Sequence, residues 1–202
     1  MNTSTITITS TEIRPALSFR LKTETAALHE LMHTLMERGQ PFASRANYAR
    51  FVEAQYHFQR DIEFLFADPA VQAAVPDLQV RGREAASLAD LADLGVVAQD
   101  DVIASADVSM PAALGWMYVS EGSTLGAAFL LKEAKTQLGL SEEFGARNLA
   151  AYPEGRAIVW RRFVASLDRD SLEGEQHEEV IAGAVAAYGR FGALLKRHFN
   201  LA

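Results

Sequence analysis

Apolar residues recur at steps of three and four positions along most of the chain, a spacing that predicts amphipathic helices. One apolar stripe runs from Leu17 to Glu37 and is closed by Gly39. A second stripe begins at Ser44, a candidate helix cap, and ends before Pro69. These two segments predict the first two helices.

Four further helices are predicted by the same spacing, over about residues 78–94, 110–138, 156–167 and 173–199. Short polar or proline-containing stretches separate them. No repeat and no strand-rich half interrupts the series. The pattern therefore predicts an all-α fold, a compact single-domain helical bundle.

The N-terminal stretch MNTSTITITS alternates Ile with Thr and imitates a strand, but one strand without a partner is not stable. We therefore expect a flexible N-terminus over residues 1–12 and a domain over 13–202. The stretch lacks the basic start and apolar centre of a secretory signal. Together with the absence of cysteine, this favours a reducing, cytoplasmic location.

Composition excludes several classes of function. The chain has 202 residues, 49% of them hydrophobic, and no apolar run approaches the ~20 residues of a membrane span. Its formal charge is −7, with 19 Lys and Arg against 26 Asp and Glu, and no basic block indicates nucleic-acid binding. Without cysteine there are no thiolate metal sites, iron–sulfur clusters or cysteine nucleophiles. We expect neither a membrane nor a nucleic acid as partner.

The stretch GWMYVSEGSTLGAAFLLKEA places Gly122 and Gly126 four residues apart inside a predicted helix. Each glycine costs about 1 kcal/mol relative to alanine there, and residues four apart share one face. In one interpretation the pair allows close packing of another helix. In the other, the bare strip lets a flat ligand approach the main chain. The pair taken alone favours packing.

The first predicted helix carries His29 and His33 on one face, in LKTETAALHELMHTLM. They can be core or surface histidines without a functional role. A di-iron site of the bundle type needs a second Glu-x-x-His besides Glu30 and His33, and the chain has none. In a third interpretation, one histidine is the axial ligand of a haem whose other face meets the glycine-containing helix.

Five motifs, LKTETAALH, PFASRANYARFVEAQ, LADLADLG, GWMYVSEGSTLGAAFL and FGARNLA, together resemble the haem oxygenases. The resemblance is closest to the iron-acquisition enzymes of Gram-negative pathogens and runs from about residue 17 to the C-terminus. It implies an all-α domain with haem between a proximal and a distal helix. It also implies cleavage of haem to biliverdin, CO and ferrous iron, with O2 and an external electron donor.

The resemblance assigns roles to individual residues. His29, at the end of the pattern Leu-Lys-x-x-Thr-x-x-x-His, matches the proximal iron ligand, and Gly122 and Gly126 match the distal-helix glycines. Ser123 stands where mammalian members have an aspartate, so other side chains must hold the distal water network. The positions that match such side chains in bacterial relatives are Gln55, Gln59, Arg83 and Thr124.

Two of these matches are imperfect, because Gln59 and Thr124 replace a histidine and an asparagine of the best-known relative. For Arg83 the alternative is a surface ion pair with an acidic neighbour.

Two further matches concern the orientation of haem. Lys22 and Tyr118 stand where α-cleaving bacterial members hold a haem propionate. Relatives that cleave elsewhere have asparagine and phenylalanine there, and lysines at positions that Glu37 and Glu133 occupy in this chain. Acidic side chains do not pair with propionates. The resemblance therefore implies biliverdin IXα as the product, unless Lys22 is merely a solvent-exposed lysine.

Other functions remain open on the sequence. A non-catalytic haem-binding or transfer protein, or an oxygenase that supplies biliverdin to a phytochrome, would share the two helices. Helical enzymes of the same fold that bind small cofactor precursors would lack the axial histidine. No dinucleotide-binding glycine motif follows a strand, so we expect an external reductase or ferredoxin as electron donor. We also expect a monomer.

Overall fold

The computed structural model describes residues 15–169, 172 and 174–202, and in this part of the chain the regular elements are helices. The α-helices are α1 (Leu17–Glu24), α2 (Ala26–Gly39), α3 (Arg45–Phe64), α4 (Pro69–Ala74), α5 (Glu84–Asp93), α6 (Ala112–Leu138), α7 (Arg156–Leu167) and α8 (Glu175–Phe199). The all-α prediction is confirmed. The predicted flexible segment 1–12 lies outside the described residues.

The first predicted helix is wrong in one respect, since it is divided into α1 and α2 at Thr25. The hydroxyl of Thr25 donates to the carbonyl of Leu21 at 2.7 Å, and its backbone leaves the helical region at φ −104°, ψ 7°. Threonine side chains compete in this way for helix hydrogen bonds. The second helix begins as predicted, because the Ser44 hydroxyl accepts from the N–H of Asn47 at 3.1 Å.

The third predicted helix begins later than expected, at Glu84, and residues 78–80 form only a 3-10 turn. The carboxylate of Glu63, on α3, accepts hydrogen bonds from the backbone N–H groups of Arg83 and Glu84. A distant side chain therefore caps α5, and periodicity within the segment could not predict its start. The proline-containing stretch between the second and third predicted helices contains α4.

The long helices α6 and α8 cross with their main chains in contact. A Cβ added at Gly115 would lie 2.0 Å from the carbonyl oxygen of Val180, and one at Gly183 would lie 2.1 Å from that of Ala112. Only glycine fits at these two positions. In the described residues, α8 also packs against α2 and α3, so the same helix supports both α2 and α6.

The core lies where α3, α6 and α8 meet, and its fully buried side chains include Tyr48, Phe51, Leu114 and Met117. Tight packing of such apolar groups is the main source of stability in a domain of this size. Among the described helices, none is long and apolar enough to cross a membrane.

Candidate functional site

The Gly122–Gly126 strip of α6 is not filled by another helix. A Cβ at Gly122 would make ordinary van der Waals contact with the ring of Trp160, at 3.7 and 3.8 Å. At Gly126 a Cβ would meet no atom of the described residues within 4 Å. Close packing of helices therefore does not explain this pair of glycines, although it does explain Gly115.

Large apolar side chains next to the strip are also uncovered. Phe129, three residues after Gly126 and on the same face, is 76% exposed, and Leu125 is 40% exposed. Ser123 is exposed as well. Apolar surface of this kind, grouped around bare main chain, is typical of a binding site for an apolar ligand.

The two histidines of α2 are exposed, so neither is a buried core residue. Their rings are in edge contact, with centroids 4.7 Å apart. Apart from this contact, neither imidazole has a hydrogen-bond partner among residues 15–169, 172 and 174–202. Both rings are therefore accessible to a ligand, and the geometry alone does not choose between His29 and His33.

A shallow depression of about 450 Å³, open to solvent, lies between α2 and α6. Met36 and Glu37 of α2, residues 40–43 and Leu130 of α6 line it. Its volume is in the range of small-molecule sites, roughly 300–1,000 Å³. The predicted site residues are not among those that line it. Met36 lies two turns beyond His29, and Leu130 one turn beyond Gly126, so the depression lies further along the two helices that carry them.

The polar residues predicted to hold water fall into two groups. In the first group, the buried amide of Gln59 faces the hydroxyl of Ser120 at 3.4 Å and so connects α3 with α6. Gln55 lies one turn earlier on α3 and is half-buried. The hydroxyl of Ser123 donates to the carbonyl of Ser120 at 2.7 Å.

Arg83 and Thr124 form the second group, on another side of α6. The buried guanidinium of Arg83 donates to the carbonyl of Asn148 at 2.6 Å and lies 4.6 Å from the ring centroid of Tyr152. The alternative of a surface ion pair is therefore wrong for Arg83. Thr124 is buried, and its hydroxyl donates to the carbonyl of Glu121 at 2.7 Å.

The predicted propionate residues lie on different helices. Lys22 is exposed on α1, and Tyr118 is buried on α6 with its ring centroid 5.6 Å from that of Trp160. Burial, with a smaller contribution from Tyr188, raises the pKa of Tyr118 to about 12. Tyr188 in turn lies near Thr25, three residues beyond Lys22. The structure records no direct contact between Lys22 and Tyr118 in its described part.

Sequence reasoning missed a buried polar cluster behind α6, formed by Glu121, Arg81 and Tyr152. The Glu121 carboxylate accepts from Arg81 and from the Tyr152 hydroxyl. The available signal was a glutamate within the apolar stretch MYVSEGS, because a carboxylate in such a stretch is buried only when it is paired.

Comparison with known proteins identifies the fold and the activity. The sequence model of the family described as heme oxygenase matches residues 15–197. The chain belongs to the haem oxygenase family. Heme oxygenase PigA of Pseudomonas aeruginosa is 48% identical over 184 residues, which are 90% of this chain and 92% of that protein.

Solved structures agree with this assignment. The NO- and CO-bound haem oxygenase of Neisseria meningitidis superposes with a TM-score of 0.86 at 36% identity, over 94% of each chain. The haem oxygenase of Leptospira interrogans has a TM-score of 0.73 at 17% identity, over 91% of this chain and 100% of that chain, and so supports the fold alone. The chain is thus a haem oxygenase, which uses haem as both substrate and prosthetic group, with O2 and an electron donor.

The exposed residues of α2 and α6 fit haem chemically. Haem is a flat apolar ring with an iron at its centre and two carboxylates at one edge. Helix α6 offers bare main chain at Gly126 and the exposed ring of Phe129, and α2 offers the unpaired imidazole of His29. Neutral imidazole is a common axial ligand of haem iron.

Proposed function

We propose that this haem oxygenase binds haem in the α2–α6 cleft, with His29 as the iron ligand on one face and the Gly122–Gly126 strip against the other. The observation that carries the proposal is the open space at Gly126, where an added Cβ meets nothing within 4 Å among the described residues. On the same face of α6, two turns before Gly122, the space at Gly115 is filled by α8.

Bound haem supplies the redox-active iron that activates O2 and the ring that is opened. The protein's part is to ligate the iron, to orient the haem ring and to exclude bulk water from it. The His29 imidazole would hold the iron as a neutral ligand, without the electron push of a thiolate. The absence of side chains at Gly122 and Gly126 would let the haem face lie close to the main chain of α6.

We propose that water on the distal side is held by Gln55 and Gln59, with Ser123 in place of an acid, and that the same water network extends to Arg83 and Thr124 on the other side of α6. The buried Nε of Arg83 has no hydrogen-bond partner among the described residues, so it can donate to a water molecule. The Thr124 hydroxyl already donates its proton to a carbonyl and can therefore only accept from water.

We propose that the product is biliverdin IXα, with Lys22 and Tyr118 binding a propionate. Tyr118, whose pKa is raised to about 12, is protonated at neutral pH like an ordinary tyrosine, so its hydroxyl can donate a hydrogen bond to a carboxylate. Glu37 lines the opposite end of the cleft, near Leu130, and repels a propionate there. Both side chains favour one orientation of the ring.

The wider role we propose is release of iron from haem in the cytoplasm by a monomer that takes electrons from an external reductase or ferredoxin. Reduction by ascorbate alone tests whether a specific donor is needed, since a slow reaction with ascorbate and a fast one with a reductase indicate a dedicated partner.

Haem placement is tested by titrating haemin into the parent, His29→Ala and His33→Ala. His33→Ala is the matched control, because the two rings lie in contact on one exposed face. We expect the Soret and carbonmonoxy spectra of the parent to persist in His33→Ala and to change in His29→Ala. Parental spectra in His29→Ala would refute this ligand.

Orientation is tested by chromatography of the green product after turnover. We expect the IXα isomer from the parent and a mixture from the double variant Lys22→Asn/Tyr118→Phe, which lacks both donors. Lys135→Ala, an exposed lysine of the same helix as Tyr118, is the control. A β or δ isomer as the main product of the parent would overturn the proposal.

A further inference from the structure

A carboxylate is sealed into the protein directly before the glycine strip of α6. Glu121 is only 2% exposed, and Arg81 is 1% exposed. Arg81 Nη1 donates to Glu121 Oε2 at 2.5 Å, and the Tyr152 hydroxyl donates to Oε1 at 3.0 Å. Charged groups are buried this completely only when they are paired and hydrogen-bonded.

Arg81 connects this pair to two further segments. Its Nε donates to the carbonyl of Pro76 at 2.8 Å, and its Nη2 lies 3.5 Å from the carbonyl of Val159 on α7. The guanidinium also lies over the ring of Phe163, 5.5 Å from its centroid. A rotation of α6 about its axis would separate the Glu121 carboxylate from partners that are held by other elements.

The backbone of α6 at the glycine strip is also hydrogen-bonded to a side chain of another helix. Arg156, at the start of α7, donates to the carbonyl of Thr124 at 2.9 Å and to that of Leu149 at 2.6 Å. The carbonyl of Glu121 accepts from the Thr124 hydroxyl. One hydrogen bond from outside the helix, that of Arg156, therefore reaches the main chain of α6 between Gly122 and Gly126.

Stability alone does not explain an ion pair at this position. Apolar side chains of similar volume in place of a buried ion pair often leave a protein equally stable or more stable. Removal of one partner, however, costs about 3–5 kcal/mol, because the other charge stays buried. A buried charge that must keep its partners thus favours one orientation of the helix. Apolar side chains in its place would allow other orientations.

The ion pair fixes the rotation of α6 about its axis, and this rotation determines which way Gly122 and Gly126 face. At about 100° per residue, the Glu121 side chain points about 100° from Gly122 and about 140° from Gly126 around α6. The carboxylate therefore faces the interior while the glycines face the cleft. Glu121 cannot itself contact a ligand that lies on the strip.

We propose that Glu121, clamped by Arg81 and Tyr152, is a positioning residue that sets the rotation of α6 and so fixes which main-chain atoms face haem. This inference rests on the proposed binding of haem against the Gly122–Gly126 strip. Glu121 acts through the main chain and does not take part in the reaction chemically.

The test is the double variant Arg81→Met/Glu121→Leu, which replaces both charges with apolar side chains. We expect it to fold with an unchanged or higher melting temperature, and to bind haemin with a His29-dependent Soret band. We expect the infrared C–O stretch of its ferrous carbonmonoxy complex to split or broaden. We also expect kcat to fall about tenfold, with KM within about twofold of the parent, because a small misplacement lowers the rate rather than binding.

The matched control is Lys135→Ala/Glu142→Ala, which removes a 2.6 Å ion pair at the far end of the same helix. It should keep the parental C–O band and kcat. Parental band and kcat in Arg81→Met/Glu121→Leu would overturn the inference. If that variant does not fold, Arg81→Lys is measured instead, because lysine keeps the positive charge but lacks the several N–H donors of the guanidinium. A changed C–O band and kcat would support the inference, and parental values would overturn it. Failure of the haem placement is distinguishable, because then the parent Soret band would not depend on His29.

Discussion

One face of α6 has two very different environments. At Gly115 the face is pressed against α8, and an added Cβ would lie 2.0 Å from a carbonyl oxygen. Two turns later, at Gly122 and Gly126, the same face meets one aromatic ring and then open space within the described residues. The same residue type therefore serves close contact between helices at one end of the face and access to the main chain at the other.

The largest effect is expected at the packed end. Gly115→Ala and Gly183→Ala each place a methyl group against backbone that cannot move aside. We expect each to lower the free energy of unfolding by about 3 kcal/mol or more, the upper range for overpacking. Urea unfolding measures it. A loss below about 1 kcal/mol would show that the crossing is looser than the structure indicates.

The packed interior should also make stability depend on pH. Burial lowers the pKa of His57 to about 4, with smaller effects from Asp101, His198, Arg197 and Glu53. The unfolded chain takes up this proton near pH 6.5. The stabilisation from neutral His57 is therefore complete above about pH 6.5 and is lost as the pH falls toward 4, by about 3 kcal/mol at most.

This pH dependence is measured by urea unfolding between pH 4 and pH 7.5. We expect His57→Phe, which keeps an aromatic ring beside His198, to flatten the dependence. An unchanged slope in that variant would assign the effect to other groups.

At the open end a bulky side chain should change the reaction and not the fold. We expect Gly122→Leu and Gly126→Leu to lower the biliverdin yield at least about tenfold, because the side chain fills the space next to the bound ligand. Melting temperatures should stay within a few degrees of the parent for Gly126→Leu. Ala128→Leu, exposed on another face of the same turn, is the control, and undiminished yield in both glycine variants would contradict the proposed role of the strip.

The smallest expected effect is a gain in stability at the open end, opposite in sign to the loss expected at Gly115. Gly126→Ala adds a methyl group in open space and replaces a poor helix former with the best one. We expect the free energy of unfolding to rise by about 0.5–1 kcal/mol. A decrease on urea unfolding would mean that the strip is packed after all.

The sequence predicted the helices well where periodicity decides, and less well where a distant side chain decides. The break at Thr25 and the cap that Glu63 provides to α5 depend on hydrogen bonds that no apolar stripe records. Within α6, periodicity places Gly115, Gly122 and Gly126 on one face but does not tell which of them meets another helix.

The candidate site was predicted by resemblance to a family rather than by physical pattern. The five motifs taken together, from the one that ends in His29 to FGARNLA, indicated the family, and the family match confirms it. The Glu121–Arg81 pair was missed because its members are 40 residues apart in sequence. Charge pairing over that distance depends on the tertiary fold.

The crossing of α6 over α8 has a mechanical consequence for the cleft. Since main chain touches main chain at Gly115 and Gly183, the two helices cannot move closer together or slide past each other at that end. We therefore expect any widening between α2 and α6 to occur at the far end of α6, around Leu130.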